Sequence, residues 1–250
     1  MDNYQLLLDL HKPQNRQGPG GDRETLKAID LAGLEQHTPL KIADLGCGTG
    51  ASSLVLANDL SAEITAVDFL QGFLDELEVR AKSKGLTDKI SPLCCSMDDL
   101  PFSEQDYDVI WSEGAVYNIG FERGIQIWNP VLKPGGVLVL SEITWTTRSR
   151  PLEIQDYWEA AYGQIDLASV KLGLLEANGY SPIGYFTLPE SCWLENYYYP
   201  LQANFENFLQ QHQHSPEAQE IIAAEKQEFE MYQRYKSYYN YGVYIAKKVS

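Results

Sequence analysis

Three glycines, at positions 46, 48 and 50, follow an apolar run that closes on Asp44 and Leu45. Twenty-two residues beyond Gly46 a second apolar run ends in Asp68. The chemistry this arrangement offers is that of holding a nucleoside. Glycines let the backbone approach a ligand with no Cβ in the way. A carboxylate at the tip of the neighbouring strand accepts hydrogen bonds from both hydroxyls of a ribose. The glycine spacing is G-x-G-x-G, whereas a dinucleotide site has G-x-G-x-x-G, so the last glycine comes one position early. Asp44, just before the turn, would repel a pyrophosphate and would help hold an ammonium group, directly or through water. Plainer uses compete: a strand-to-helix turn needs glycine geometry alone, and Asp68 has the residue type of a helix N-cap.

These residues reach one place only if the elements around them form an open α/β sheet. Apolar patterning predicts strands over residues 41–45, 63–68, 89–95, 107–112 and 137–143. Between them it predicts helices over 51–58, 70–81 and 120–132, the last distorted by Pro130. Helices are also expected over 4–10 and 22–33, separated by a loop rich in Gly, Pro and Gln. Alternation of strand and helix implies a parallel sheet covered on both faces. Right-handed crossovers then bring Asp44, Asp68, Ser96 and Glu113 to one edge. Further on come helices over 151–165 and 167–178 and a strand over 181–188. A loop over 189–200 carries Trp193, Tyr197, Tyr198 and Tyr199. Polar helices over 201–213 and 216–239 precede a final strand over 240–247. Eleven of the sixteen tyrosines follow Gly179, which marks this end as specialised.

The 250 residues suffice for one large α/β domain. A formal net charge of -16 argues against binding nucleic acid through its phosphates and is the charge of an acidic, solubilising surface. It also suits a pocket that prefers neutral or cationic ligands. No apolar run approaches the ~20 residues that cross a bilayer. The first residues carry Asp2 and Asp9 with no basic stretch, unlike a secretory signal. The expectation is a cytoplasmic protein with no membrane partner. The four cysteines form no C-x-x-C pair. Cys47 fits the glycine turn as a small residue, Cys94 and Cys95 are expected to be buried, and His212 and His214 to be solvated. No metal site is expected.

The run Asp44-Leu45-Gly46-Cys47-Gly48-Thr49-Gly50 resembles the first motif of class I S-adenosylmethionine-dependent methyltransferases. Asp68 matches their ribose-binding acid. Residues 96–102, Ser-Met-Asp-Asp-Leu-Pro-Phe, resemble their segment after strand three. Leu132-Lys133-Pro134-Gly135-Gly136 resembles the turn before strand five. The four motifs stand in the family's order across roughly residues 19–185. The most similar group is the small-molecule type that includes the ubiquinone and menaquinone biosynthesis enzymes.

The resemblance implies a Rossmann-like, doubly wound, seven-stranded sheet, mostly parallel with the last strand antiparallel, and a helical insertion before that strand. It implies one domain, 1–250, with its core at about 22–188 and 240–248, a cap over 1–21 and an insertion over about 189–239. It implies S-adenosylmethionine as cofactor. Gly46 and Gly48 would approach its methionine part, Asp44 would help hold the ammonium, and Asp68 the ribose. Met97 would pack on the adenine, with Asp98 or Ser96 accepting from the adenine amino group. Phe69 would cover the other face of the base or pack in the core. Gln17, Pro19 and Gly20 match a loop lying over the cofactor. Glu113, Tyr117 and Asn118 would face the methyl group, with Glu113 as first candidate for a base or substrate anchor, or else a hydrogen-bonding partner of the cofactor. Glu142 and Trp145 are weaker candidates for the same region. The acceptor would be a small molecule met by residues of the insertion, whose aromatics suit a cationic amine, the core or a homodimer interface. Two other readings compete: a cofactor-binding regulatory protein without turnover, and a nicotinamide-dependent oxidoreductase, which the glycine spacing and Asp44 disfavour.

Overall fold

A computed structural model describes residues 3–249; Met1, Asp2 and Ser250 of the expected domain lie outside the described residues. Helices α1 (Asn3–His11) and α2 (Asp22–Ala32) precede the sheet. Then follow β1 (Leu40–Leu45), α3 (Ala51–Asp59), β2 (Ala62–Asp68), α4 (Gln71–Ser83), β3 (Ile90–Cys94) and β4 (Tyr107–Glu113). The next are α5 (Phe121–Trp128), β5 (Leu132–Trp145), α6 (Leu152–Ala161), β6 (Asp166–Leu167), α7 (Ala168–Ala177) and β7 (Tyr180–Thr187). Short helices α8 (Glu190–Trp193), α9 (Tyr199–Ala203) and α10 (Phe205–Gln211) lead to the long α11 (Pro216–Tyr235) and to β8 (Tyr239–Lys248).

The strand order is β3-β2-β1-β4-β5-β8-β7. β1 to β5 run parallel, and β8 inserts antiparallel between β5 and β7. The two-residue β6 joins β5 as an eighth strand. It is too short to leave a periodic signal in the sequence. The strand pattern is apolar on both faces because both are covered. Ala28, Leu56, Leu77 and Val139 belong to a core on one face, under α2, α3 and α4. Leu45, Ile110, Trp128 and Leu175 belong to a core on the other, under α5 and α7. The pairing of β4 with β5 jumps from Tyr107↔Leu132 to Val109↔Val137, so Lys133, Pro134, Gly135 and Gly136 loop out and β5 starts before the turn. α5 stops at Trp128, short of Pro130, which has no amide hydrogen to continue it.

A third core lies beyond the carboxyl ends of the strands. Leu6 and Leu10 of α1 pack there with Trp145, Trp193, Tyr197, Tyr198, Phe208 and Tyr232. The expected loop over 189–200 is helical from Glu190 onward, with a π-helical turn at Leu194–Tyr198. Trp193, Tyr197 and Tyr198 are all buried, and Trp193 stacks on Tyr232 with centroids 4.5 Å apart. Dense aromatics and two prolines mask the helical spacing, and Pro200 sits where a first turn tolerates it. Two smaller expectations also change. His212 is buried, facing Asp9 at 3.2 Å. Cys94 is exposed, because it ends β3 at the sheet margin.

Candidate cofactor and acceptor site

The carboxyl ends of β1, β2 and β4 open on a cavity of about 530 Å³. Its lining includes Gln17, Pro19, Gly46, Gly48, Asp68, Phe69, Ser96, Met97, Asp98, Glu113, Tyr117 and Asn118. Sequence reasoning named all of these. Asp44, Gly20, Glu142 and Trp145, also named, are not among the lining residues.

The glycine turn has a reason at each position. Gly46 and Gly48 have φ of 73° and 55°, in the left-handed region that side chains disfavour. A Cβ on Gly46 would fall 2.3 Å from the Ala115 Cβ, and one on Gly48 2.3 Å from Gln17 Oε1. Gly50 serves packing, since a Cβ there would fall 2.1 Å from Leu77 Cδ1 on α4. The early third glycine thus seats α3 on α4.

Asp68 holds two backbone amides and lines the cavity. Its Oδ1 accepts the Leu70 amide at 2.9 Å at the start of α4, and its Oδ2 accepts the Gly48 amide at 2.9 Å. Burial pushes its pKa up, against the two amides that favour the charge. The carboxylate still lines the cavity. Asp44 lies behind the turn, fully buried. Its Oδ2 accepts the Ser52 and Ser53 hydroxyls at 2.7 and 2.5 Å, while Oδ1 has no protein partner. Burial pushes Asp44 up to about 7, against those two hydroxyls.

Ser96 and Asp98 are one unit: the Ser96 hydroxyl donates to Asp98 at 2.6 Å, and Arg123 pairs with the other carboxylate oxygen at 3.1 Å. These partners, Ser96 first, hold Asp98 below the usual carboxylate range. Phe69 is 61% exposed, so it is an aromatic face at the cavity mouth and not a core residue. Its ring lies 5.8 Å from that of Tyr4.

Gln17 spans the turn. Its Oε1 accepts the Thr49 amide at 2.9 Å and its Nε2 donates to Thr49 Oγ1 at 3.0 Å. Gly20 faces away, and its carbonyl accepts from Asn196 of the insertion at 2.7 Å. The residue that sequence reasoning missed is its neighbour in the loop, Arg16. It is 8% exposed and pairs with Glu113 at 2.9 Å and Asp22 at 3.0 Å. Burial opposes its charge, but the two carboxylates outweigh burial and hold the guanidinium pKa above its ordinary value. The one available signal was a lone arginine inside a Gly/Pro loop, which is the cation a buried carboxylate needs.

Arg16 changes the reading of Glu113. The carboxylate also accepts from Thr25 Oγ1 at 2.7 Å and from Trp111 Nε1 at 2.9 Å. With three donors on its two oxygens it is an anchor tying the N-terminal segment to β4, not a free base. Tyr117 remains at the cavity, edge-on to Tyr162 at 6.2 Å. Burial of its phenol raises its pKa, which disfavours a phenolate. Glu142 is fully buried beside Lys171, at 3.5 Å, and Trp145 is covered by the Arg150 guanidinium 4.0 Å from its ring.

Comparison with known proteins bears on the same residues. Residues 42–136 match the model of a family described as a methyltransferase domain. The chain is 33% identical over 105 residues to a demethylmenaquinone methyltransferase of Clavibacter sepedonicus, covering 42% of this chain and 41% of that one. It is 29% identical over 103 residues to a sarcosine/dimethylglycine N-methyltransferase of Aphanothece halophytica, covering 41% and 37%. The alignments thus span about half or less of the curated relatives' length. A SAM-dependent methyltransferase from Geobacter sulfurreducens, solved with S-adenosyl-L-homocysteine, superposes with a TM-score of 0.85. The likeness covers 98% of both chains at 18% identity and is one of fold.

Proposed function

We propose that this chain is an S-adenosylmethionine-dependent methyltransferase acting on a small-molecule acceptor. The observation that carries this reading is Asp68, which holds the Gly48 amide while its carboxylate stays at the cavity, where a ribose would sit. Two further features fit the cofactor: a turn at Gly46 that admits no Cβ, and the orphaned, buried Asp44 Oδ1, an acceptor for an ammonium reached through water. Ser96-Asp98, Met97 and Phe69 supply the polar edge and the two faces of an adenine subsite. Bound there, the cofactor supplies a sulfonium methyl as electrophile. The chain's own part is alignment and exclusion of water. Gln17 and Arg16 carry that out by tying the segment before α2 across the turn and to β4.

The same reading takes the chain as one domain, with a core at about 22–188 and 240–248. The segment 1–21 and the insertion 189–239 form its cap, which their shared apolar core supports. The acidic surface supports an acceptor other than nucleic acid. Calorimetry with S-adenosylhomocysteine tests the proposal. Binding is expected in the micromolar range, weakened more than tenfold, ~1.4 kcal/mol, in Asp68→Ala. A flat titration with both S-adenosylmethionine and its demethylated product would sink it, and binding without methylation of any compound in a metabolite library would favour the regulatory reading.

A further inference from the structure

Behind the cavity lies a group of side chains that the cofactor reading does not use. Three lining residues border it: His11, Gly114 and Tyr117. Tyr197 stacks on His11, with rings 7° from parallel and centroids 6.4 Å apart. The Tyr241 ring stands 3.8 Å from where a Gly114 Cβ would be. Glu225 and Glu228 of α11 complete the group. Glu225 Oε1 lies 3.5 Å from His11 Nε2, and Glu228 accepts the hydroxyl of the buried Tyr198 at 2.9 Å. Tyr198 in turn lies beside Tyr197, with ring centroids 5.0 Å apart.

The polar atoms here are not satisfied by one another. Glu225 Oε2 and His11 Nδ1 are buried without a partner. Tyr197 is 7% exposed. Nor is the charge balanced. Glu142, deeper in, has Lys171 as its counter-ion. Among the described residues Glu225 has His11 as its one ion-pair partner, and Glu228 has none. Two carboxylates held in an aromatic enclosure without a fixed cation are stable only if one stays protonated or a cation arrives. The protein alone leans toward the first: burial, with the charge of Glu225 adding to it, pushes Glu228 up to about 7. The second is a ligand's part, and tyrosine faces suit it.

We propose that the methyl acceptor is a small aliphatic amine, whose ammonium form is captured between Glu225, Glu228 and the faces of Tyr117, Tyr197 and Tyr241. This rests on the methyltransferase reading above. The proton balance closes within the group. As it binds, the ammonium displaces the Glu228 proton to solvent; it then gives one of its own protons to the freed carboxylate, and its nitrogen lone pair forms the new N–C bond. The S–C bond breaks with its electrons left on sulfur as a neutral thioether, and the product is a methylated ammonium. Glu228 keeps its proton as the product leaves, which restores the starting state.

The test uses the full chain saturated with S-adenosylhomocysteine and titrated with tetramethylammonium chloride, with sodium chloride as control. Binding of the organic cation is expected, weakened tenfold or more in Glu225→Gln and in Glu228→Gln. Affinity for S-adenosylhomocysteine should stay within twofold in both variants, which also reports that they fold. In parallel, a panel of primary and secondary amines and size-matched phenols and carboxylic acids is incubated with S-adenosylmethionine and read by mass spectrometry. Methylation of amines alone is expected. Absence of cation binding by the saturated protein, or methylation confined to phenols or acids, overturns the amine inference and leaves the methyltransferase reading standing. Failure of S-adenosylhomocysteine itself to bind removes both.

Discussion

Asp44 and Asp68 end neighbouring strands of the same sheet, yet only one of them reaches the cavity. Asp44 is closed in by its own helix, through Ser52 and Ser53, while Asp68 stands at the rim. The consequence for Asp44 is measurable. Its folded pKa of about 7 exceeds the ordinary value of 3.8. The folded state therefore binds a proton more tightly than the unfolded chain. The group costs stability once pH exceeds its folded pKa, and that cost fades as pH falls toward 4. Asp44→Asn is accordingly expected to stabilise the cofactor-free protein at pH 8, on the order of 2–4 kcal/mol, and far less at pH 4.5. Urea unfolding of both proteins at the two pH values checks this, and an equal difference at both would contradict it. The glycines and the two acids were legible in the sequence because their spacing is local. The burial of Asp44 was not, because it depends on hydroxyls eight and nine residues along, on a helix that only the turn directs back.

At the scale of elements, the segment between α1 and α2 is a strap fastened at both ends of the cofactor cavity. Gln17 fastens it to Thr49, and Arg16 to Glu113 on β4. Breaking a buried ion pair by removing one partner leaves the other charge uncompensated. Arg16→Ala is expected to cost ~3–5 kcal/mol, read by urea unfolding. Adding Glu113→Gln should return part of that loss, and a double-mutant cycle that closes as additive would show the pair to be uncoupled. The sequence revealed β4 and the loop, but not the link between them, since the partners are 97 positions apart. The same distance explains why Glu113 looked like a base: a carboxylate at a strand tip announces its position, and only its partners tell what it does. The π-helical turn at Leu194–Tyr198 was hidden for a related reason. Its aromatic residues follow the needs of the cap core, not a regular period.

For the whole molecule, the sheet and its two covering layers were readable from alternating strand and helix patterns, and the order of motifs fixed the edge where the site lies. The cap was not readable, because α1 and α11 stand at opposite ends of the chain and meet only after folding. The surface charge has its own consequence. With a formal charge of -16, the compact state repels itself, and salt screens that repulsion over ~10 Å at 0.1 M. Raising sodium chloride from 10 to 150 mM, order-of-magnitude settings that bracket this length, should raise the melting temperature in differential scanning fluorimetry. A flat or falling trend would mean that specific surface ion pairs dominate instead.

The place of β8 bears on how the chain is made. β8, which follows every other strand in the described residues, is not at an edge; it lies between β5 and β7 and hydrogen-bonds along both. Until residues 239–248 leave the ribosome, those two strands have no common neighbour. A nascent chain can therefore settle β1 to β5 early, but it carries an open, apolar seam until β8 has been made. The residues that close that seam also bring Tyr239 and Tyr241 into the cap. Completion of the sheet and completion of the cap core are thus one event in biosynthesis, and a ribosome stalled before residue 239 would hold a chain with neither.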